Sequence, residues 1–350
     1  MRVSRIPWLP ALGAALTFSA CDGGTPFDPV ALSQTAAEVI SAMENSQASQ
    51  SMAVLGPKMT VAAPALVAAT MPNTDLLTGA PHLWARRRAE LLQRAASGFS
   101  PESPAVIFPA DVLGKTFTYN TTTQQYQLSS EPGAPSTGVR FRLYAVNTGT
   151  GQVTVPLQDI GYLELTDTSS PSRVALGIKA VINNTTLLEY EASATVTTLS
   201  VGFSAQGYVS DGTTQVDFDL SQNFSQTSGI TINYIVKVPE KNVDVQLEAG
   251  LGLDLVGSIT LTISHDGNDT VVDVTGALDG AITGTIEHNG DVVVNIAGTT
   301  DTPVFTDATG TPLTAQQLDA LEHLVDFIED IFDAFDNLLL PAFALLGVEL

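Results

Sequence analysis

A group of histidine and aspartate side chains flanks two turn-like dipeptides late in the sequence. The group consists of His265, Asp266, Asp269, His288 and Asp291. If antiparallel strands connect these segments, alternate turns lie at one edge of a sheet, about 9.6 Å apart for strands separated by one neighbour. Carboxylate and imidazole groups together suit a divalent cation. Hairpin turns also require Asp and Asn, and we favour this second interpretation because turn chemistry alone explains most of these residues.

The remaining candidates for catalysis do not form a recognised pattern. The four histidines are His82, His265, His288 and His323, and none belongs to a Ser/His/Asp or metalloprotease motif. No Gly-rich loop follows a predicted strand and opens a helix, which is the arrangement that cradles phosphate groups. The sequence therefore predicts a protein that is not an enzyme and has no cofactor.

The charge balance limits the classes of partner. The 350 residues contain 14 Lys and Arg against 37 Asp and Glu, a net charge of -23. A phosphate backbone needs clustered Lys and Arg, so nucleic acid is not an expected partner. The single Cys excludes a disulfide framework and a zinc site built from several thiolates. Apolar residues make up 44% of the chain, which is enough for a sizeable core.

The single cysteine lies at the end of an export signal. Arg2 and Arg5 precede an apolar run from Ile6 to Phe18, which is followed by the small residues Ser19 and Ala20. This order is typical of secretory signal peptides. The apolar run is also too short to span a bilayer comfortably, since a spanning helix needs about 20 residues.

The segment Leu16-Thr17-Phe18-Ser19-Ala20-Cys21 resembles the lipobox of bacterial lipoproteins, with Phe18 in place of the usual Leu. The resemblance covers only the signal. It implies that residues 1–20 are a signal peptide, that Cys21 carries a covalent lipid, and that the protein is anchored to a membrane of the bacterial cell envelope. The other interpretation is an ordinary secretory signal with a chance Cys. We favour the lipoprotein because the chain contains no other cysteine.

The mature chain divides into three regions. Residues 21–30 contain Gly and Pro, a composition typical of a tether. Residues 31–112 are predicted to form a helical or irregular N-terminal region, with short helices at Ser33–Met43 and His82–Ala96. Residues 113–350 are predicted to form an antiparallel β domain.

Alternation of apolar and polar residues with a period of two begins at about Leu113 and continues to Ile296. Successive side chains of a strand point to opposite faces, so this pattern gives each strand one dry face. Asp266-Gly267 and Asn289-Gly290 are strong hairpin signals, since both central positions of a type I′ turn need positive φ. No helix-length segment interrupts residues 139–300, which predicts an antiparallel meander of about twelve strands.

An amphipathic helix over residues 314–340 is predicted to cover the dry face of this sheet. Thr314 and Gln317 match a capping box, and Pro341 stops the helix. Apolar residues recur at spacings of three and four on one side, among them Ile328, Phe332, Phe335 and Leu339. The expected fold is mainly β: a large curved antiparallel meander wrapped around the C-terminal helix, with short N-terminal helices.

Three functions fit this architecture. The expected one is an exported, lipid-anchored acidic protein with a non-catalytic surface, structural or binding role. The first alternative is a periplasmic or envelope carrier, by analogy of architecture alone. A lipid or other hydrophobic ligand would lie between sheet and helix, where Gly276 and Gly284 leave room on the dry face. The second alternative, ranked last, is a transmembrane β-barrel whose apolar face contacts lipid.

Overall fold

The computed structural model describes residues 29–55, 107–147, 150, 152–254, 256–277, 280–299, 302–315, 317–319 and 321. Of the residues that follow, it describes Ala334, Phe335, Leu338, Leu339, Ala342, Leu345 and Leu346. Several predictions fall on residues outside this description: the signal peptide with Cys21, the helix His82–Ala96, and the apolar helix residues Ile328 and Phe332.

Strands dominate the described part of the chain, which confirms the mainly β prediction. They are β1 (Lys115–Asn120), β2 (Gln125–Ser129), β3 (Gly138–Tyr144), β4 (Val146–Asn147), β5 (Gln152–Val153), β6 (Asp159–Asp167), β7 (Val174–Ile182), β8 (Thr185–Val196), β9 (Ser200–Ser210), β10 (Gln215–Ser225), β11 (Gly229–Val238), β12 (Val243–Leu251), β13 (Gly257–His265), β14 (Asn268–Gly276), β15 (Ala281–His288), β16 (Asp291–Thr299) and β17 (Thr302–Asp307).

Fifteen of these strands form one sheet, and β4 pairs with β5 separately. From β6 to β17 every strand pairs antiparallel with the next one in sequence, so the sheet contains the predicted kind of meander, here with twelve consecutive strands. The last of them, β17, lies beyond the predicted end of the alternation at Ile296. The prediction of a purely antiparallel sheet is wrong at one pair. β1 lies parallel to β3, with Phe117 opposite Phe141. The reason is that β2 runs antiparallel to β1, and the segment after β2 then carries the chain back so that β3 starts at the same end of the sheet as β1.

The turns of the meander follow the predicted backbone chemistry. Asp266 and Gly267 have φ of 50° and 79°, and Asn289 and Gly290 have φ of 52° and 87°, as a type I′ turn requires. The connection between β7 and β8, Asn183–Asn184, uses the same conformation with φ of 50° and 65°. Asn tolerates this left-handed region better than other residues with a Cβ, so Asn in these turns serves the backbone.

The connections of the meander alternate between the two ends of its strands, which form two opposite rims of the sheet. The Asn rim is the edge that holds the connections after β7, β9, β11, β13 and β15, including Asn183–Asn184, Asn242, Asp266–Gly267 and Asn289–Gly290. The Leu rim is the opposite edge, which holds the connections after β8, β10, β12 and β14. Its exposed apolar residues are Leu199, Leu253 and Val256.

The two faces of the sheet differ in polarity. On β11 the residues Ile230, Ile232, Tyr234, Val236 and Val238 are buried, whereas Thr231, Asn233 and Lys237 between them are exposed. We call the buried side the inner face. On the outer face, cross-strand ion pairs join Lys179 to Glu189 (3.1 Å) and Lys237 to Asp244 (2.6 Å). Exposed pairs of this kind contribute about 0–1 kcal/mol each, so the buried inner face stabilises the sheet.

Two N-terminal helices, α1 (Pro29–Asn45) and α2 (Gln47–Leu55), pack at the Asn rim. The Ser46 hydroxyl donates a hydrogen bond to the carbonyl oxygen of Ser210 at the end of β9 (2.8 Å), and Lys241 pairs with Glu38. Their buried side chains are Val39, Ile40, Ala42, Met43, Ala48, Met52 and Leu55. α1 starts within the predicted tether, and the polar sequence of α2 gives no sign of a helix.

Candidate functional site

The inner face carries an aromatic cluster formed by strands β8, β10 and β11 and one residue of the C-terminal segment. The ring centroids of Tyr190 and Phe218 lie 5.7 Å apart. These rings meet because both residues pair with Gly207, which has no side chain between them. Phe335 packs edge-on against Phe218 (5.2 Å) and Tyr234 (6.4 Å), a geometry that aromatic rings favour.

A hydrogen bond ties the same segment to the sheet. The Tyr190 hydroxyl donates to the carbonyl oxygen of Leu338 (2.9 Å), and burial raises the pKa of Tyr190. Phe335 is 1% exposed, and Leu339 is also buried. At the start of the segment, the predicted capping box is present: the Gln317 side chain accepts from the Thr314 N–H (2.8 Å), and the Gln317 N–H donates to the Thr314 hydroxyl (3.4 Å).

The two glycines of the predicted ligand slot have different environments. A Cβ on Gly284 would overlap the carbonyl oxygen of Asp273 and crowd Val274 on the neighbouring strand. Gly284 therefore permits a close approach of two backbones, and its missing side chain leaves no free volume on that side. A Cβ on Gly276 would meet only Ile282 at 3.8 Å and the Ala281 carbonyl oxygen at 4.0 Å, which is ordinary contact.

A polar pair on the inner face was not predicted from the sequence. Gln222 on β10 is 7% exposed, and its amide N–H donates to the hydroxyl oxygen of Tyr234 on β11. Among the residues that the structure describes, none donates a hydrogen bond to the buried amide oxygen Oε1 of Gln222. The signal in the sequence was a single Gln at an apolar position of the alternation, after Val216, Phe218 and Leu220.

The histidine and aspartate residues of the predicted cation site do lie at one edge, the Asn rim. Their neighbours on this rim are mostly Asn side chains. Asn242 donates to Asp266 (3.2 Å), and the backbone N–H of Asp269 donates to the side chain of Asn289 (3.0 Å). Adjacent turns are therefore joined by amide hydrogen bonds, which is the structural role expected of turn residues.

The two histidines of this rim have separate surroundings. A 3.4 Å contact joins His265 Nε2 to the Asp266 carboxylate, whereas His288 Nδ1 lies 3.1 Å from the Thr270 hydroxyl. The predicted residue Asp291 pairs with His288 across the β15–β16 hairpin. Among the residues that the structure describes, no group of three or more His, Cys, Asp or Glu side chains is placed to hold a metal ion. The cation site stays a prediction.

Comparison with known proteins adds no assignment. No protein-family model matches the chain, and no curated protein or solved structure is significantly similar to it. Within the described residues, no helix is both long and apolar enough to cross a membrane.

Proposed function

We propose that the chain is an exported protein of the bacterial cell envelope, anchored by a lipid on Cys21, with a non-catalytic binding or structural role. The observation that supports a non-catalytic scaffold best is the division of the meander into a buried apolar face and a polar outer face with paired charges. The support for the anchor is the lipobox-like segment that ends at Cys21.

The anchor would suspend the body of the protein above the membrane. Removal of residues 1–20 takes away Arg2 and Arg5, which leaves 12 basic and 37 acidic residues, or -25. A negative surface is repelled by anionic lipid headgroups. A single acyl chain holds a protein only marginally, at about 0.8 kcal/mol per buried CH₂, so more than one chain is needed for stable attachment.

We further propose that the sheet curves around a C-terminal helix. The support comes from the described residues of that segment. Phe335 lies among the rings of the inner face, Leu338 accepts the Tyr190 hydrogen bond, and Leu345 and Leu346 are buried. Contacts of this kind bring the C-terminal segment to strands β8, β10 and β11.

A carrier of hydrophobic ligands is the second candidate function. The observation that favours it is the amide oxygen of Gln222, which lies buried on a mainly apolar face and has no partner among the described residues. A purely structural core usually satisfies its buried polar atoms within the protein, because an unsatisfied one costs about 1–3 kcal/mol. A ligand that supplies the missing donor would remove this cost.

Metabolic labelling with an alkyne-tagged palmitate tests the anchor in the natural host. We expect the wild-type protein to be labelled and to sediment with membranes, and Cys21→Ser to remain unlabelled because it lacks the thiol that is acylated. Ser19→Ala is the matched control, since it keeps a small residue in the signal and should be labelled like the wild type. An unlabelled wild-type protein, or equal labelling of Cys21→Ser, would show that the anchor is wrong.

A further inference from the structure

Only one of the two polar groups of the Gln222 side-chain amide has a hydrogen-bond partner among the described residues of the inner face. Its amide N–H donates to the Tyr234 hydroxyl oxygen. The remaining oxygen, Oε1, is buried and accepts no hydrogen bond from the part of the chain that the structure describes. A carbonyl of this kind loses its bonds to water on burial, so the group that completes the site must be a donor.

The surroundings of Gln222 select an uncharged donor. Gln222 pairs across the sheet with Phe203 on β9 and Ile232 on β11, and its neighbours two residues away on β10 are Leu220 and Phe224. None of these positions carries a charge. An ionised headgroup would lose its hydration here without gaining a counter-ion from these strand neighbours, whereas a hydroxyl needs only an acceptor.

The site lies close to the Leu rim. Gln222 is three residues from the end of β10, and the connection after β10 lies between those after β8 and β12. These two flanking connections carry the exposed apolar residues Leu199 (53% exposed) and Leu253 (62% exposed). Helices α1 and α2 pack at the opposite rim, where Ser46 contacts Ser210. An apolar chain that approaches the Leu rim thus meets apolar side chains first.

We propose that Gln222 and Tyr234 form the headgroup site for a single-chain lipid with an uncharged hydroxyl group, which enters at the Leu rim. The inference rests on the carrier function, because it requires that the inner face admit a ligand. The lipid hydroxyl donates to Gln222 Oε1, and the alkyl chain contacts the apolar side chains of the neighbouring strands. No covalent step is involved.

A matched pair of ligands isolates this hydrogen bond. Oleyl alcohol can donate it, and oleyl methyl ether has the same chain but no donor. We expect the purified wild-type protein to bind the alcohol about tenfold more tightly than the ether, the ratio that one net hydrogen bond supplies. Oleate, with its charged headgroup, should bind more weakly than the alcohol. Displacement of an environment-sensitive fluorescent lipid measures all three affinities.

Two variants complete the experiment. Gln222→Met keeps an unbranched side chain and removes the acceptor. This variant should therefore bind oleyl alcohol and oleyl methyl ether equally, each with the affinity that the wild-type protein has for the ether. Thr270→Val is the control, because Thr270 is a buried polar residue near the opposite rim and should keep the preference for the alcohol. Unchanged ether binding by Gln222→Met shows that this variant is folded.

The outcomes separate the inference from the function on which it rests. If the wild-type protein binds the alcohol and the ether equally, or if Gln222→Met keeps the preference, the carrier stands and the headgroup site is wrong. Tighter binding of oleate than of the alcohol also overturns the uncharged headgroup. If none of the three lipids binds, the carrier function itself is wrong.

Discussion

Tyr190 joins two parts of the protein that are 148 residues apart in sequence. Its ring packs against Phe218 on the same sheet, and its hydroxyl reaches the carbonyl oxygen of Leu338. A carbonyl near a helix end or within a buried segment needs a partner, and the phenol supplies it where water is excluded. The single hydroxyl therefore reports whether the C-terminal segment is docked on the inner face.

Tyr190→Phe should lower the free energy of unfolding by about 1–2 kcal/mol, because it removes the donor and leaves a buried acceptor. Urea denaturation at neutral pH measures the difference. Tyr208→Phe is the control, since Tyr208 lies on the outer face, only partly buried, and should change stability by less than about 0.5 kcal/mol. Equal stability of Tyr190→Phe and the wild type would mean that the segment does not dock as described.

The same pair of proteins should respond differently to alkaline pH. Burial raises the pKa of Tyr190, whereas the unfolded chain ionises this phenol near its ordinary pKa of about 10. Above that pH the unfolded state alone releases the proton, so wild-type stability falls by up to about 1.4 kcal/mol per pH unit from this group. The advantage of the wild type over Tyr190→Phe should therefore shrink between pH 9 and pH 11. A constant difference would contradict a buried, neutral Tyr190.

At the scale of elements, the strands were predictable where neighbouring residues in the sequence determine the structure. Alternation identified the buried face of the strands from β7 to β15 and of Val294 and Ile296 on β16. Val292, which the same alternation places on that face, is exposed because the β15–β16 register shifts at Ile286 and Glu287. Asp-Gly and Asn-Gly fixed the turns because positive φ is a property of the residue itself. The parallel pairing of β1 with β3 is not local, since it depends on where a longer connection returns. Strand β17 was missed because it is short and contains Pro303, which alternation alone does not interpret as a strand.

The candidate site was predictable only in part for a related reason. Phe335 and Leu339 follow from helical periodicity, which requires no knowledge of the partner surface. The role of Gln222 depends on the strand pairing that brings Tyr234 to its amide N–H and on whether a neighbouring group donates a hydrogen bond to its amide oxygen. Those are facts of tertiary packing. Gly284 shows the same limit, since a missing side chain in sequence does not distinguish free space from close backbone contact.

The two glycines make a matched test of the sheet's packing. Gly284→Ala should destabilise the protein by about 1–3 kcal/mol, because its Cβ would overlap the backbone of β14. Gly276→Ala should be neutral or slightly stabilising, because its Cβ makes only ordinary contacts and Ala restricts the unfolded chain. Thermal unfolding of both variants provides the comparison. Equal melting temperatures for the two variants would show that β14 and β15 are not this close.

The whole molecule combines an acidic exterior with an apolar inner face. Its net charge of -23 and its polar outer face favour a solvated body, whereas the inner face contacts residues of the C-terminal segment and holds an incomplete polar pair. Helices α1 and α2 lie at the Asn rim, and exposed leucines lie at the Leu rim. A protein held to a membrane by Cys21 would thus expose apolar side chains at the Leu rim, next to a buried apolar face.

Mass spectrometry of the protein extracted from its native membrane in mild detergent tests this account most directly. Under denaturing conditions we predict the mass of residues 21–350 plus covalent acyl groups. Under native conditions we predict an additional, non-covalent lipid that bears an uncharged hydroxyl and is released into organic solvent. A chain without acyl mass, from which organic solvent releases no lipid, would contradict both the anchor and the carrier.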